Sequence, residues 1–218
     1  MAVRLAIVLA LLVLAFLGSE LVIPRAAEDR VREELARNGD VRKVRVKAFP
    51  AIKLLFGRAD RVEIELTRMK AGSGRLAELL DRAERTGELS ARVDLLEVGP
   101  LMVRDASLTM RDDLLRGEAS LTREDITAAV PFGNVEVTPV VSPEGELVLE
   151  TSAPVFGTRI AVRARVGARD GAIVAAADGL LGGLGTITVF NDPRVRVDAV
   201  GARPNGDGFV VTAEGRLG

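Results

Sequence analysis

The sequence contains no Cys, no His, no Trp and no Tyr in 218 residues. Without Cys and His, a protein has no thiolate nucleophile, no disulfide, no zinc site built from these ligands and no His-based triad. Any catalytic chemistry on this chain would have to use carboxylates, Lys, Ser or Thr. These absences narrow the enzyme classes that the sequence can belong to.

The charge of the chain is also close to balanced. Lys and Arg number 30, Asp and Glu number 31, and the net charge is -1. Because nucleic-acid-binding domains carry an excess of basic residues, we expect no nucleic-acid partner. Local groups of Arg can still meet anionic headgroups. The only aromatic residues are seven Phe, so few large side chains are available to fill an interior.

The amino-terminal end carries the longest apolar run of the sequence. Residues 5–17 are uninterrupted apolar, follow Arg4, and are extended by a shorter apolar stretch before Pro24. This length fits the core of a signal peptide or a short membrane anchor, and a buried core helix is the third reading. Both main readings place the protein at the outer face of the cytoplasmic membrane. We therefore predict a signal peptide or transmembrane anchor over 1–24 and one domain over 25–218.

Most of this domain alternates between apolar and polar residues with a period of two, which is typical of half-buried strands. The clearest alternation is found at 44–48, 62–67, 91–95, 159–166, 194–199 and 209–214. Further strands are predicted near 101–110, 114–121, 134–141, 146–152, 171–177 and 186–190. Turn sequences such as Asp170-Gly171 and Asn205-Gly206 separate several of these strands.

A few segments have helical rather than strand-like patterns. Residues 26–37 combine opposite charges four positions apart with a narrow apolar stripe of Ala27, Val31 and Leu35. Shorter helices are predicted over 50–56, 75–86 and 122–130. The stretch 179–185 is too rich in Gly for a helix to be predicted.

The predicted fold is therefore α+β and mainly antiparallel β, with one apolar and one charged sheet face. A sheet of this kind must cover its apolar face with helices, with a second sheet, or by curling around a ligand. The apolar positions are mostly Val, Ala, Leu and Ile. A wide curled sheet lined by such small residues would leave a cavity, and a well-packed sandwich is the alternative that the pattern leaves open.

The segment 41–66 is the most motif-like part of the chain. It contains a strand, an aromatic-Pro pair, a short apolar helix, a Gly, an Arg and a second alternating strand: Phe49-Pro50, Ile52 to Phe56, Gly57, Arg58 and Asp60-Arg61-Val62. This order resembles the signature of the LmeA-like phospholipid-binding family of actinobacteria, and the terminal strand at 208–213 continues the likeness. The segment from Lys70 to Gly87 is an addition to that pattern.

The resemblance implies a fold similar to tubular lipid-binding domains, in which a long curved sheet wraps around a helix as a half-barrel. It implies binding of phospholipid acyl chains in the bacterial cell envelope, with transfer of lipid as a further option. The implied partners are a phospholipid or related envelope lipid and the membrane. The sequence does not show whether the protein has a protein partner.

Acyl chains are bound by burial, worth about 0.8 kcal/mol for each CH2 group. The first group of lipid-binding candidates surrounds the short helix, which carries more apolar bulk than it can bury in a small core: Phe49, Ile52, Leu54, Leu55 and Phe56. The second group lies in loop-like apolar stretches that would form a mouth: Phe132, Phe156, Leu180, Leu181 and Leu184. Arg58 and Arg61 are candidates for an anionic headgroup, since Arg suits phosphate. Core packing and solvated surface charge are the respective alternatives.

Sequences that resemble catalytic motifs are weak. Gly72-Ser73-Gly74 has the wrong spacing for a nucleophile elbow, and the Gly-rich stretch 179–185 lacks the Lys and Ser or Thr of a phosphate loop. The carboxylate pairs Asp112-Asp113 and Glu124-Asp125 fit structural roles. We therefore expect a protein that is not an enzyme and has no cofactor and no metal. The rival hypothesis is an envelope interaction module with a close-packed core.

Overall fold

The computed structural model describes residues 23–37, 39–71, 85–129, 136–142, 144–155, 158–177 and 186–218. The predicted signal peptide or anchor therefore lies almost entirely outside the described residues. The Gly-rich stretch 179–185 lies outside them as well. Among the described residues, no helix combines the length and the apolar composition that crossing a membrane requires.

The described chain is dominated by strands. It begins with a helix, α1, over 23–36, followed by strand β1 and a short 3-10 helix over Ala51–Phe56. The first five strands are β1 (Gly39–Lys47), β2 (Ala59–Ala71), β3 (Thr86–Val98), β4 (Leu101–Arg111) and β5 (Leu114–Thr122). After helix α2 (Arg123–Ala129) come β6 (Glu136–Val141), β7 (Leu147–Val155), β8 (Thr158–Arg169), β9 (Ala172–Ala177), β10 (Thr186–Phe190), β11 (Val195–Asn205) and β12 (Gly208–Leu217).

Every strand that the alternation predicts is confirmed, because each predicted segment overlaps one of β1 to β12. The helices predicted over 26–37, 50–56 and 122–130 are confirmed by α1, the 3-10 helix and α2. The helix predicted over 75–86 falls outside the described residues except at its end, where Thr86 already belongs to β3.

The strands form two sheets. One has seven strands in the order β1-β2-β3-β4-β5-β12-β11, and the other has five in the order β10-β9-β8-β7-β6. The mainly antiparallel prediction is confirmed, but the prediction of one long sheet is corrected by this division. β2 and β3 are also parallel, with Ala59 beside Thr86 and Ala71 beside Val98. A parallel pair needs a crossover connection rather than a hairpin, which is where the additional segment lies.

The seven-stranded sheet is curved, and its register irregularities help to explain why. Register shifts occur after Asp40 in β1, between Arg104 and Ser107 in β4, and after Val197 in β11. Asp105, inside the β4 irregularity, has a positive φ of 49°. Bulges of this kind bend a strand and increase its twist. The apolar side chains of this sheet face α1, and charged side chains such as Arg61 and Glu88 lie on the opposite face.

Strand β11 joins the two sheets. The Val197 N–H donates to the Gly171 carbonyl at 2.9 Å and the Ala202 N–H donates to the Gly145 carbonyl at 2.6 Å, so turns of the smaller sheet bond to this edge. A buried cluster fills the junction, with members Ile126, Leu147, Ala202 and Phe209. Ile126 comes from α2, whose start is capped because Thr122 Oγ1 accepts the Asp125 N–H at 3.1 Å.

A second buried cluster lies where β4 turns into β5. Met110 is 1% exposed and packs with Leu115, whereas Leu114, which precedes Leu115, is 55% exposed.

We predict that Met110→Ala lowers the free energy of unfolding by about 2–4 kcal/mol, because the substitution leaves a cavity in a packed site. Leu114→Ala should change it by less than about 0.5 kcal/mol. Urea unfolding of both variants measures this, and equal losses would contradict the assignment of the core.

Candidate functional site

A large apolar groove lies between α1 and the concave face of the seven-stranded sheet. Its volume is about 970 Å³. The sheet contributes residues from β1 to β5 and from β12, and the 3-10 helix closes part of one end. The lining is mainly aliphatic and includes Val46, Val62, Ile64, Leu66, Met69, Leu89, Ala91, Val93, Leu96, Val103, Ala106, Leu108, Ala119, Leu121, Val211 and Ala213. This composition suits hydrocarbon rather than a polar ligand.

Small residues lie next to one another across the strands in the middle of the groove floor. One continuous row of paired residues runs from β2 to β12: Ile64, Ala91, Leu108, Gly117 and Ala213. Three of these five side chains are Ala or Gly. Cross-strand neighbours share one face of a sheet, so this row places Gly117 beside Ala213, with Ala91 on the other side of Leu108. Room for a ligand results from the strand register as much as from any single residue.

Helix α1 forms the opposite wall. Its stripe of Ala27, Val31 and Leu35 is half-buried and lines the groove. Glu28 Oε1 accepts the Val46 N–H at 3.0 Å, which fixes the first half of α1 beside the end of β1. Leu35 packs on a buried cluster that includes Leu66 and Met69. The helix therefore runs along the sheet, with its amino-terminal end toward the 3-10 helix.

The end of the groove beside the 3-10 helix carries positive charge. Arg58 and Arg85 both line the groove there, next to Gly57. A Cβ atom built on Gly57 would lie 3.7 Å from Nη1 of Arg85. Within the described residues, neither guanidinium has a hydrogen-bond or salt-bridge partner. In the described part of the chain, these two cations are therefore available to an anionic group at this end of the groove.

We define the tip as residues 49–58, which project at this same end. Four large apolar side chains of the tip are more than half exposed: Phe49, Ile52, Leu55 and Phe56 are 70%, 52%, 67% and 74% exposed. Ala51, in contrast, is fully buried and attaches the 3-10 helix to the sheet. Gly57 ends the helix in the left-handed region, with a φ of 69°. The exposed side chains therefore belong to a regular 3-10 helix and the residues beside it.

Asp60 holds the tip to the start of β2. Its Oδ2 accepts the Phe49 N–H at 2.6 Å and its Oδ1 accepts from Lys53 Nζ at 3.0 Å. The hydrogen bond from the Phe49 backbone, followed by that from the Lys53 ammonium, holds the pKa of Asp60 below its ordinary value of 3.8. The ionised carboxylate is the form that binds the tip.

The site residues predicted from the sequence lie in different parts of the structure. Leu54, Leu55 and Arg58 line the groove, while Phe49, Ile52 and Phe56 are not among its lining residues. Arg61 lies on the convex face, where its guanidinium bonds Glu88 at 2.5 and 2.9 Å. The remaining apolar candidates all lie outside the described residues: Phe132, Phe156, Leu180, Leu181 and Leu184.

Sequence reasoning missed most of the groove. The apolar members of β2 to β5 were predicted as strand residues, and the stripe on α1 was predicted as a packing face, but neither was predicted as a binding wall. The small residues Gly117 and Ala213 gave no signal of their own. Arg85 was missed because its nearness to Arg58 depends on the parallel pairing of β2 with β3.

The binding of the tip by Asp60 should depend on pH. Because the pKa of Asp60 is lower in the folded chain than in the unfolded chain, this interaction stabilises the tip above about pH 4 and is lost as pH falls through the folded value. We predict that the Phe49 amide resonance titrates with a midpoint below 3.8 and that Asp60→Asn abolishes this titration. A midpoint at or above that value would contradict the proposed hydrogen bonds.

Comparison with known proteins identifies one family. A family model described as LmeA-like phospholipid-binding matches residues 17–215, nearly the whole chain. No curated protein and no solved structure matches the chain significantly. The likeness to tubular lipid-binding domains therefore stays a prediction, whereas the family resemblance read from residues 41–66 is confirmed.

Proposed function

The chain belongs to the LmeA-like phospholipid-binding family, and on this premise we propose that its groove holds the acyl chains of a phospholipid without catalysing a reaction. The observation that carries the proposal is the groove itself, about 970 Å³ between α1 and the sheet. This volume lies at the upper end of the range for ligand pockets. An interaction module with a close-packed core would not leave such a space.

Burial of hydrocarbon would supply the affinity. Each CH2 group removed from water contributes about 0.8 kcal/mol, so about ten groups of one chain would contribute about 8 kcal/mol before the entropy of binding is subtracted. The aliphatic floor offers contacts of this kind and few hydrogen bonds. Chain length would therefore affect binding more than the detailed chemistry of the acyl chain.

The phospholipid headgroup is assigned to the charged end of the groove. Arg58 and Arg85 lie there beside the last apolar lining residues, Leu54 and Leu55. A guanidinium can donate two parallel N–H groups to one phosphate. The acyl chains would then run from this end along the row of small residues, with the headgroup at the opening. Arg61 has no part in this arrangement, since Glu88 occupies it on the convex face.

We place this function in the cell envelope, at the outer face of the cytoplasmic membrane. The support is the apolar run over 5–17, which fits a signal peptide or an anchor. A groove that is partly open to solvent would also let a lipid leave for another membrane or protein, so transfer is part of the proposal.

The first test is native mass spectrometry of the chain from residue 25 onward, purified without detergent. A phospholipid mass that is released on denaturation is the expected result, and it would also identify the lipid class. An apo mass, with no uptake from anionic or zwitterionic vesicles, would contradict lipid binding and favour the interaction module.

A variant that fills the groove gives a sharper test. At Gly117 an added Cβ would meet only the Ser107 and Ala213 carbonyls, at 3.9 and 4.0 Å, so Gly117→Leu should fold. Its side chain would displace two or three CH2 groups of ligand, about 2 kcal/mol, and weaken lipid affinity about thirtyfold.

The matched control is Gly167→Leu in β8. A Cβ at Gly167 has no atom within 4 Å, and the residue does not line the groove. Lipid affinity of this control should equal that of the unmodified chain in a fluorescent phospholipid binding assay. Equal affinity of all three proteins would show that the acyl chains bind elsewhere.

A further inference from the structure

The tip exposes large apolar side chains that nothing in the described chain covers. Phe49, Ile52, Leu55 and Phe56 are all more than half exposed and lie within eight residues. Contiguous exposed apolar groups mark an interaction site. We propose that the tip inserts into the surface of a bilayer containing anionic phospholipid and sets the charged groove end on the membrane. This inference rests on the proposed function and adds the route by which lipid reaches the groove.

The tip is built as a rigid projection. Ala51 is fully buried beneath it, the Gly57 N–H bonds the Leu54 carbonyl at 3.1 Å, and Asp60 binds both Phe49 and Lys53. A preformed element loses little conformational freedom when it binds. The apolar side chains therefore remain presented to the outside instead of folding back onto the sheet.

The direction in which the chain leaves the domain supports a membrane as the occupant. Glu28 bonds Val46 at the tip end of β1, whereas Leu35 packs near Leu66 and Met69 further along the sheet. The start of α1 is thus on the side of the tip. In the sequence, five residues separate α1 from the apolar run over 5–17, which fits a membrane segment. A chain attached through this run would have its tip facing the same bilayer.

The charge around the tip favours an anionic surface. Lys53, Arg58 and Arg85 lie on or beside it, and the carboxylate of Asp60 pairs with Lys53. Lys53 and Asp60 pair at 3.0 Å, whereas the guanidinium groups of Arg58 and Arg85 have no salt-bridge partner among the described residues. Apolar side chains flanked by Arg are the combination that binds the interface of an anionic membrane.

Another exposed apolar pair supplies a control. Ile187 and Val189 on the edge strand β10 are 52% and 58% exposed, as much as Ile52. They belong to the smaller sheet and not to the groove end. If exposure alone drove insertion, these residues would insert as well. The proposal predicts that they stay in water.

Because the chain has no Cys, single labels can be placed without other changes. The full chain is reconstituted into vesicles of phosphatidylcholine and phosphatidylglycerol at three to one, with a nitrobenzoxadiazole label on Phe56→Cys or on Ile187→Cys. We expect nitroxide-bearing lipids to quench the label at 56 and to leave the label at 187 unquenched. Equal or absent quenching at the two sites would overturn the proposal.

Contact of the tip with protein instead of a membrane would give a different signal. A label at 56 that is shielded from water but not quenched by nitroxide lipids would mean a protein contact, either with a second copy or with the residues before α1, and would overturn the proposal. In the chain labelled at Phe56→Cys, Arg58→Gln and Arg85→Gln should each lower the ratio of membrane-inserted to free tip, measured by quenching, about fivefold. Arg116→Gln, which removes a cation paired with Glu214 on the sheet, should leave the ratio unchanged.

Lipid uptake is measured on the same samples, so the two proposals can fail separately. Quenching at 56 without lipid in the groove would support docking and contradict the proposed function. Lipid in the groove without quenching at 56 would overturn docking alone. Gly117→Leu should reduce uptake and keep the quenching, whereas a tip carrying Ile52→Ser should reduce the quenching and still accept lipid supplied from detergent.

Discussion

One face of the seven-stranded sheet is apolar, and the sheet cannot keep water from it alone. Curvature from the irregularities in β1, β4 and β11 draws this face inward, and α1 covers part of it. The row from Ile64 to Ala213 has Ala and Gly where a close-packed protein would have larger residues. Small side chains on a curved sheet under one helix therefore leave a groove, and the other features of the site depend on this mismatch.

Stability has to come from elsewhere, because a groove forfeits packing contacts. The junction cluster around Phe209 and the cluster around Met110 supply well-packed interiors at either side. The convex face adds cross-strand ion pairs such as Arg42 with Asp94 and Arg116 with Glu214. These pairs are exposed and worth little individually, so their alternation mainly fixes which face points to water. The packed clusters hold the frame, and the groove can stay open.

Much of the architecture could be predicted because alternation with a period of two is a local property. It located the strands of the described residues, and the capping residues located α2. The groove could not be predicted in the same way, since its floor is defined by which strands pair and in which register. Arg58 and Arg85 lie at the same end of the groove only because β2 and β3 are parallel. Neither strand has a sequence pattern that predicts this parallel pairing. The segment 41–66 indicated the family, but not that Leu54 and Leu55 line the groove while Phe56 does not.

The groove and α1 share one apolar surface, which connects ligand binding to the position of the helix. Val31 and Leu35 contact the same space that acyl chains would occupy, so a bound chain would pack on the helix as well as on the sheet. A ligand that binds only the folded state stabilises it in proportion to the logarithm of its concentration over its dissociation constant. Lipid would then supply the packing that the small residues of the floor withhold. Helix α1 would therefore pack most firmly when lipid occupies the groove.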